Sequence, residues 1–154
     1  MSGYTGQIPD IVARPLDWMS SMACRAKDPN LFSDPATAHD ARIVCIVHCP
    51  VRTACLAHVK EIEKGAARKD RDGVVAGLTG SERWRLDPTA YRTTGDTPSL
   101  DFAVTPAACG TYLGLLRHLW SGDRVDPDCW SDEVRRERLN RATRAATAHP
   151  PKDA

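Results

Sequence analysis

At 154 residues, with 21 basic and 20 acidic side chains and a formal net charge of +1, the chain suits one domain or a small domain with an appendage. That balance excludes a strongly basic nucleic-acid coat and leaves only local patches to consider. A hydrophobic fraction of 42% with only 6% aromatics makes a thin apolar core, the kind that needs a metal or disulfide staple, and six cysteines can supply one.

Residues 1–14 are polar and turn-rich without periodicity, and read as a flexible lead-in. Residues 15–87 form a mostly helical first domain. Pro15 can occupy a first helical position, which predicts a short helix over Leu16–Ala26 carrying Trp18 and Cys24. Asp28-Pro29-Asn30 breaks the chain, and Ser33-Asp34-Pro35 opens a second helix over Ala36–Val47. Cys49 precedes Pro50 and is pushed out of the α region, so that helix ends there. Pro50 opens a third helix to Lys64, with Gly65 as its stop. Val51, Cys55, Val59 and Ile62 form one apolar stripe on it, so Cys55 faces inward. Thr79-Gly80-Ser81-Glu82 has capping-box spacing, with Thr79 as cap and Glu82 reaching back.

Residues 88–106 carry Pro88, Gly95, Pro98 and Pro106 among Thr, Ser and Asp, which is linker chemistry. A C-terminal module over 107–148 follows, with Ser131-Asp132-Glu133-Val134 as a helix start. The expected fold class is therefore mainly α. About four short helices surround a metal or iron–sulfur centre, and a small helical module follows.

The first ten residues have neither the basic nor the apolar region of a secretory signal. No apolar run approaches the roughly 18–20 residues that span a bilayer. A cytoplasmic location is expected, where grouped cysteines bind metal or respond to oxidants rather than pair. Cys45, Cys49 and Cys55 lie around a helix end, a proline and a helix start, while Cys24 arrives from a separate helix. One lone cysteine plus a compact trio is not the two-knuckle pattern of structural zinc, and it suits a cubane whose irons each take one thiolate. Buried core cysteines and a disulfide framework remain the competing readings. His48, inside the trio, is a candidate substitute ligand but is read first as a solvated side chain.

Residues 15–87 resemble the WhiB-like proteins of actinobacteria and their phages. The resemblance rests on Trp18, Ala23-Cys24-Arg25, Asp28-Pro29-Asn30-Leu31-Phe32 and Cys49-Pro50-Val51-Arg52-Thr53-Ala54-Cys55-Leu56. It continues through Asp72-Gly73-Val74-Val75-Ala76-Gly77-Leu78-Thr79 and Glu82-Arg83. It implies a 4Fe–4S cluster on Cys24, Cys45, Cys49 and Cys55, sensitive to oxygen or nitric oxide. It also implies a role in transcription through region 4 of the principal sigma factor, and no catalytic residues. The chain departs from the family pattern twice. The family's Cys-x2-Cys spacing would place the second ligand at Ile46, where this chain has Cys45. The family's Gly-(Val/Ile)-Trp-Gly-Gly turn reads Gly73, Val74, Val75, Ala76, Gly77, so the partner-binding turn lacks its tryptophan; Trp84 is the nearby candidate replacement.

In the C-terminal segment, Cys109-Gly110-Thr111-Tyr112, Arg117-His118, Gly122 and Asp126-Pro127-Asp128-Cys129 resemble a short Cys/His module. Cys109, His118, Asp126 and Cys129 can together make a tetrahedral zinc site. Arg135, Arg136, Arg138, Arg141 and Arg144 share a following helix and are candidate DNA contacts, diluted by Asp132, Glu133 and Glu137. No membrane and no small-molecule substrate is expected as a partner. Phosphate-loop, zincin and nucleophile-elbow motifs are absent, which speaks against an enzyme. The alternative function is a zinc-stapled protein- or DNA-binding module without redox activity.

Overall fold

The computed structural model describes residues 17–93, 95 and 109–149. The expected lead-in, Pro15, Leu16 and most of the expected linker lie outside them. Among the described residues there is no strand beyond an isolated bridge between Val75 and Leu78.

Two 3₁₀ turns, Asp17–Ser21 and Ala23–Ala26, replace the single helix expected around Cys24. The run is too short to repay α-helix nucleation, and tighter turns serve instead. Helix α1 (Asn30–Ser33) and a 3₁₀ turn (Pro35–Thr37) lead into α2 (Ala38–Ile43). The Asp34 carboxylate caps that entry, accepting the Ala36 amide at 2.9 Å. A π turn over Val44–His48 follows, and Cys49 leaves it in extended conformation, as the following proline requires. Helix α3 (Arg52–Ile62) starts two residues later than Pro50 suggested. Its stripe ends early: Val59 is buried, but Ile62 is 66% exposed.

Helix α4 (Gly80–Leu86) is capped by Thr79, whose hydroxyl accepts the Glu82 amide at 3.2 Å. The reciprocal half of the expected capping box does not form, because the Glu82 carboxylate is drawn across the fold to Arg42 at 2.6 Å. A buried guanidinium outcompetes a helix-end amide for that charge. Gly80 is needed here, since a Cβ would stand 2.1 Å from the Arg71 carbonyl oxygen.

Helices α5 (Tyr112–Ser121) and α6 (Pro127–Ala148) complete the described chain. The start of α6 is Asp126-Pro127 rather than Ser131. The Asp126 carboxylate accepts the Cys129 amide at 2.8 Å, repeating the aspartate–proline start at Asp34. The C-terminal helices share one core with the first segment: Leu115, Leu116, Leu119 and Cys129 pack with Leu56, Val59, Ala76, Leu78 and Leu86. Each leucine buried there contributes about 1.5–3 kcal/mol. Arg52 reaches the Leu119 carbonyl at 3.1 Å and Lys60 the Trp120 carbonyl, so cations from α3 satisfy the open carbonyls ending α5.

Helix α6 is fastened to α2 by charge. Glu133 accepts from Arg42 at 2.8 Å and contacts His39 Nδ1 at 3.0 Å, and Arg141 reaches Asp40 at 2.8 Å. Burial alone would push the Glu133 carboxyl up, but Arg42 and His39 more than offset it and hold it below the ordinary carboxylate range. A depressed folded-state pKa gives stability that is present above the unfolded value of 4.5 and lost as pH falls through the folded one. Replacing Glu133 by Gln is therefore expected to lower stability at neutral pH and flatten its decline below about pH 4.5. Denaturant midpoints measured from pH 7 to pH 3 check this.

Candidate metal centre

The 3₁₀ turn at Cys24, the π turn at Cys45, the extended residue Cys49 and the first turns of α3 at Cys55 all face one cavity. Its volume is about 480 Å³, and its lining includes all four cysteines, Phe32, Arg52, Val74, Val75 and Ala76. All four thiols are free and half-buried. The register shift at Cys45 is taken up by the π turn, which accommodates one more residue per turn than an α-helix and keeps Cys45 on the cavity side. Ile46, where the family spacing would put a ligand, packs against the core instead. His48 is exposed and lines no part of the cavity.

The turn over 73–77 closes the cavity, and its backbone groups sort by polarity. The Ala76 amide faces the Cys55 thiol and the Gly77 amide the Cys45 thiol closely enough to oppose the rise that burial gives each. Its carbonyls face arginines. Arg83, fully buried, spends all five donors: on the carbonyls of Asp72 (2.9 Å), Gly73 (2.8 Å) and Leu78 (2.7 Å) and on both oxygens of Glu63. Arg52 takes the Ala76 carbonyl at 3.1 Å and Arg42 the Gly77 carbonyl at 2.8 Å. Gly73, Ala76 and Gly77 all have positive φ, with Ala76 at 53°. A non-glycine residue held left-handed costs about 1–2 kcal/mol, which the surrounding bonds offset.

Burial pushes the Cys45 thiol up to about 12, with the neighbouring thiols adding to the shift and the Gly77 amide opposing it. Cys55 is likewise raised by burial first, against the Ala76 amide. Burial therefore disfavours the thiolate form at Cys45 and Cys55.

The turn named as a partner surface is partly exposed at Gly73 and Val75. Val74, Ala76 and Gly77 are buried, and Leu119 of α5 packs beside Gly77. Trp84 does not replace the missing tryptophan at a surface. It is buried, donates to the Tyr91 carbonyl at 3.2 Å and stacks beneath Arg92. Four of the five helix α6 arginines pair within the chain: Arg135 and Arg136 with Asp132, Arg141 with Glu137 and Asp40, Arg144 with Glu137. Arg138 is exposed. Away from the cavity, His118, Asp126 and Cys129 converge, with Cys109 bonded to Asp126. The roles of Arg42, Arg52 and Arg83 carried no local sequence signal beyond the placement of Arg52 and Arg83 within family-like motifs.

The fold is thus a small helical domain whose four N-terminal cysteines line one cavity beneath the 73–77 turn. The family model described as Transcription factor WhiB matches residues 18–86. The chain is 35% identical over 89 residues to Transcriptional regulator WhiB1 of Mycobacterium tuberculosis, in both strain CDC 1551 / Oshkosh and strain ATCC 25618 / H37Rv. The match covers 53% of this chain and 98% of that protein. The chain belongs to the WhiB family of transcription factors, and it carries α5 and α6 beyond the matched region. No solved structure matches it.

Arg83→Lys tests the arrangement. Lysine keeps the charge but cannot bridge three carbonyls and a carboxylate at once. The substitution is expected to cost about 3–5 kcal/mol, as breaking a buried ion pair does. Anaerobic denaturant titration measures it.

Proposed function

We propose that this chain is a 4Fe–4S transcriptional regulator of WhiB type, with Cys24, Cys45, Cys49 and Cys55 as ligands. The observation that carries the reading is that all four cysteines line one cavity, closed on one side by Val74, Val75 and Ala76 of the turn. Iron-bound thiolates are charged acceptors, and N–H donors directed at them stabilise and tune a cluster. Among the described residues, no three of these sulfurs join the close-set donor group, whose ligand atoms lie within 4.8 Å of one another. A wider ring of sulfurs suits several metal atoms rather than one ion, which favours a cluster over a zinc staple here.

When bound, the group supplies an iron–sulfide core that oxygen or nitric oxide can attack. The chain's part is mechanical and electrostatic. Arg42, Arg52 and Arg83 hold the turn so that its amides meet the sulfurs, and α2, α3 and the Cys24 segment are drawn to one centre. With the group bound, the Ala76 and Gly77 amides would face thiolates on Cys55 and Cys45, which accept more strongly than thiols. The partner we infer is region 4 of the principal sigma factor, in the cytoplasm, with direct DNA contact secondary because the α6 arginines are largely paired. No helix of the described residues is long and apolar enough to cross a membrane.

A pull-down between anaerobic chain and sigma region 4, before and after bleaching by air or nitric oxide, tests the reading. Retention that changes with bleaching is expected. Equal retention in both states contradicts redox control, and none in either state contradicts this partner.

A further inference from the structure

Four metal-ligating side chains meet at the joint between α5 and α6, outside the cluster cavity. His118 Nε2 lies 2.8 Å from Asp126 Oδ2, and Cys129 Sγ lies 3.4 Å from the same oxygen. Cys109 also donates to the Asp126 carboxylate, and Cys109, His118 and Arg117 line one cavity of about 190 Å³. Three side-chain donors, an imidazole and two thiols, are thus aimed at a single carboxylate. The ligand atoms of His118, Asp126 and Cys129 lie within 4.8 Å of one another, and Cys109 approaches this trio from the side of Asp126.

Further features favour a metal over a hydrogen-bond cluster. The Cys129 side chain is fully buried, and its sulfur accepts the amides of Gly110 (3.4 Å) and Thr111. The Nδ1 atom of His118 is buried without a hydrogen-bond partner, so hydrogen bonding does not account fully for the ring's placement.

We propose that Cys109, His118, Asp126 and Cys129 form a closed structural zinc site that ties the start of α6 to α5. Two sulfurs, one nitrogen and one carboxylate oxygen are ligands that Zn²⁺ accepts, and four of them complete a tetrahedron with no open position. Binding displaces the two thiol protons to solvent. The tie fixes the angle at which α6 leaves α5, and so where Glu133 meets Arg42. The site stands on its own donor atoms and does not depend on the cluster.

The test is zinc and iron content of the full chain, made anaerobically in zinc-supplemented medium, together with zinc competition against a chromophoric chelator. Wild type is expected to hold about one zinc per chain, in the closed four-ligand form. Cys109→Ser and His118→Ala are each expected to weaken zinc at least about tenfold while iron stays unchanged. Cobalt substitution should give the visible absorption of a tetrahedral thiolate site. Cys109 is exposed, so its variant keeps the test valid if the other does not fold. Three outcomes overturn the proposal: wild type without zinc, zinc retained in both variants, or zinc lost with Cys55→Ser but not with Cys109→Ser.

Discussion

The structure depends on how the carbonyls of the turn around residues 72–78 are held. Five of them point at arginine side chains from three different helices, Arg42 of α2, Arg52 of α3 and Arg83 of α4. With its carbonyls fixed outward, the turn has its Ala76 and Gly77 amides free to face the cysteine sulfurs. Burying guanidinium groups is costly, and the cost is met by carboxylates brought from elsewhere: Glu63 for Arg83, Glu82 and Glu133 for Arg42. This network, more than the thin apolar core, specifies one arrangement of the short helices. It also borders the cavity that the four thiols share.

The two C-terminal helices change what this WhiB domain presents to a partner. Leu119 of α5 rests on the turn at Gly77, and Arg52 bridges the Ala76 and Leu119 carbonyls. Arg42 links the Gly77 carbonyl of the turn to Glu133 of α6 by two hydrogen bonds. The absence of a tryptophan at Val75 agrees with that cover, because Val75 packs towards the shared core.

Much of the site was legible from short-range signals. Cys24, Cys49 and Cys55 were placed by prolines, caps and helical periodicity, and Thr79 does cap α4. Cys45 looked out of register because a sequence reading assumes 3.6 residues per turn, whereas the π turn has more. Glu82 was assigned to its own helix end, yet a guanidinium forty residues away in sequence attracts it more strongly. Ser131 was preferred as a helix start for its acidic neighbours, although Asp126-Pro127 carries the same signal that was recognised at Asp34-Pro35. The α6 arginines resembled a nucleic-acid face because charge patterns do not reveal pairing with residues such as Asp40, a hundred positions upstream. Local rules place elements and ligands well; they cannot see ion pairs that form only after the chain has folded.

The central claim is that four cysteines, held by this clamped turn, carry one iron–sulfur cluster. Anaerobic purification followed by visible absorption and iron and sulfide analysis tests it most directly. The account predicts a brown protein with about four iron and four sulfide per chain, lost on replacing Cys45 by Ser as surely as on replacing Cys55. A colourless protein whose four cysteines hold zinc alone, or a brown one that is indifferent to Cys45, would contradict it.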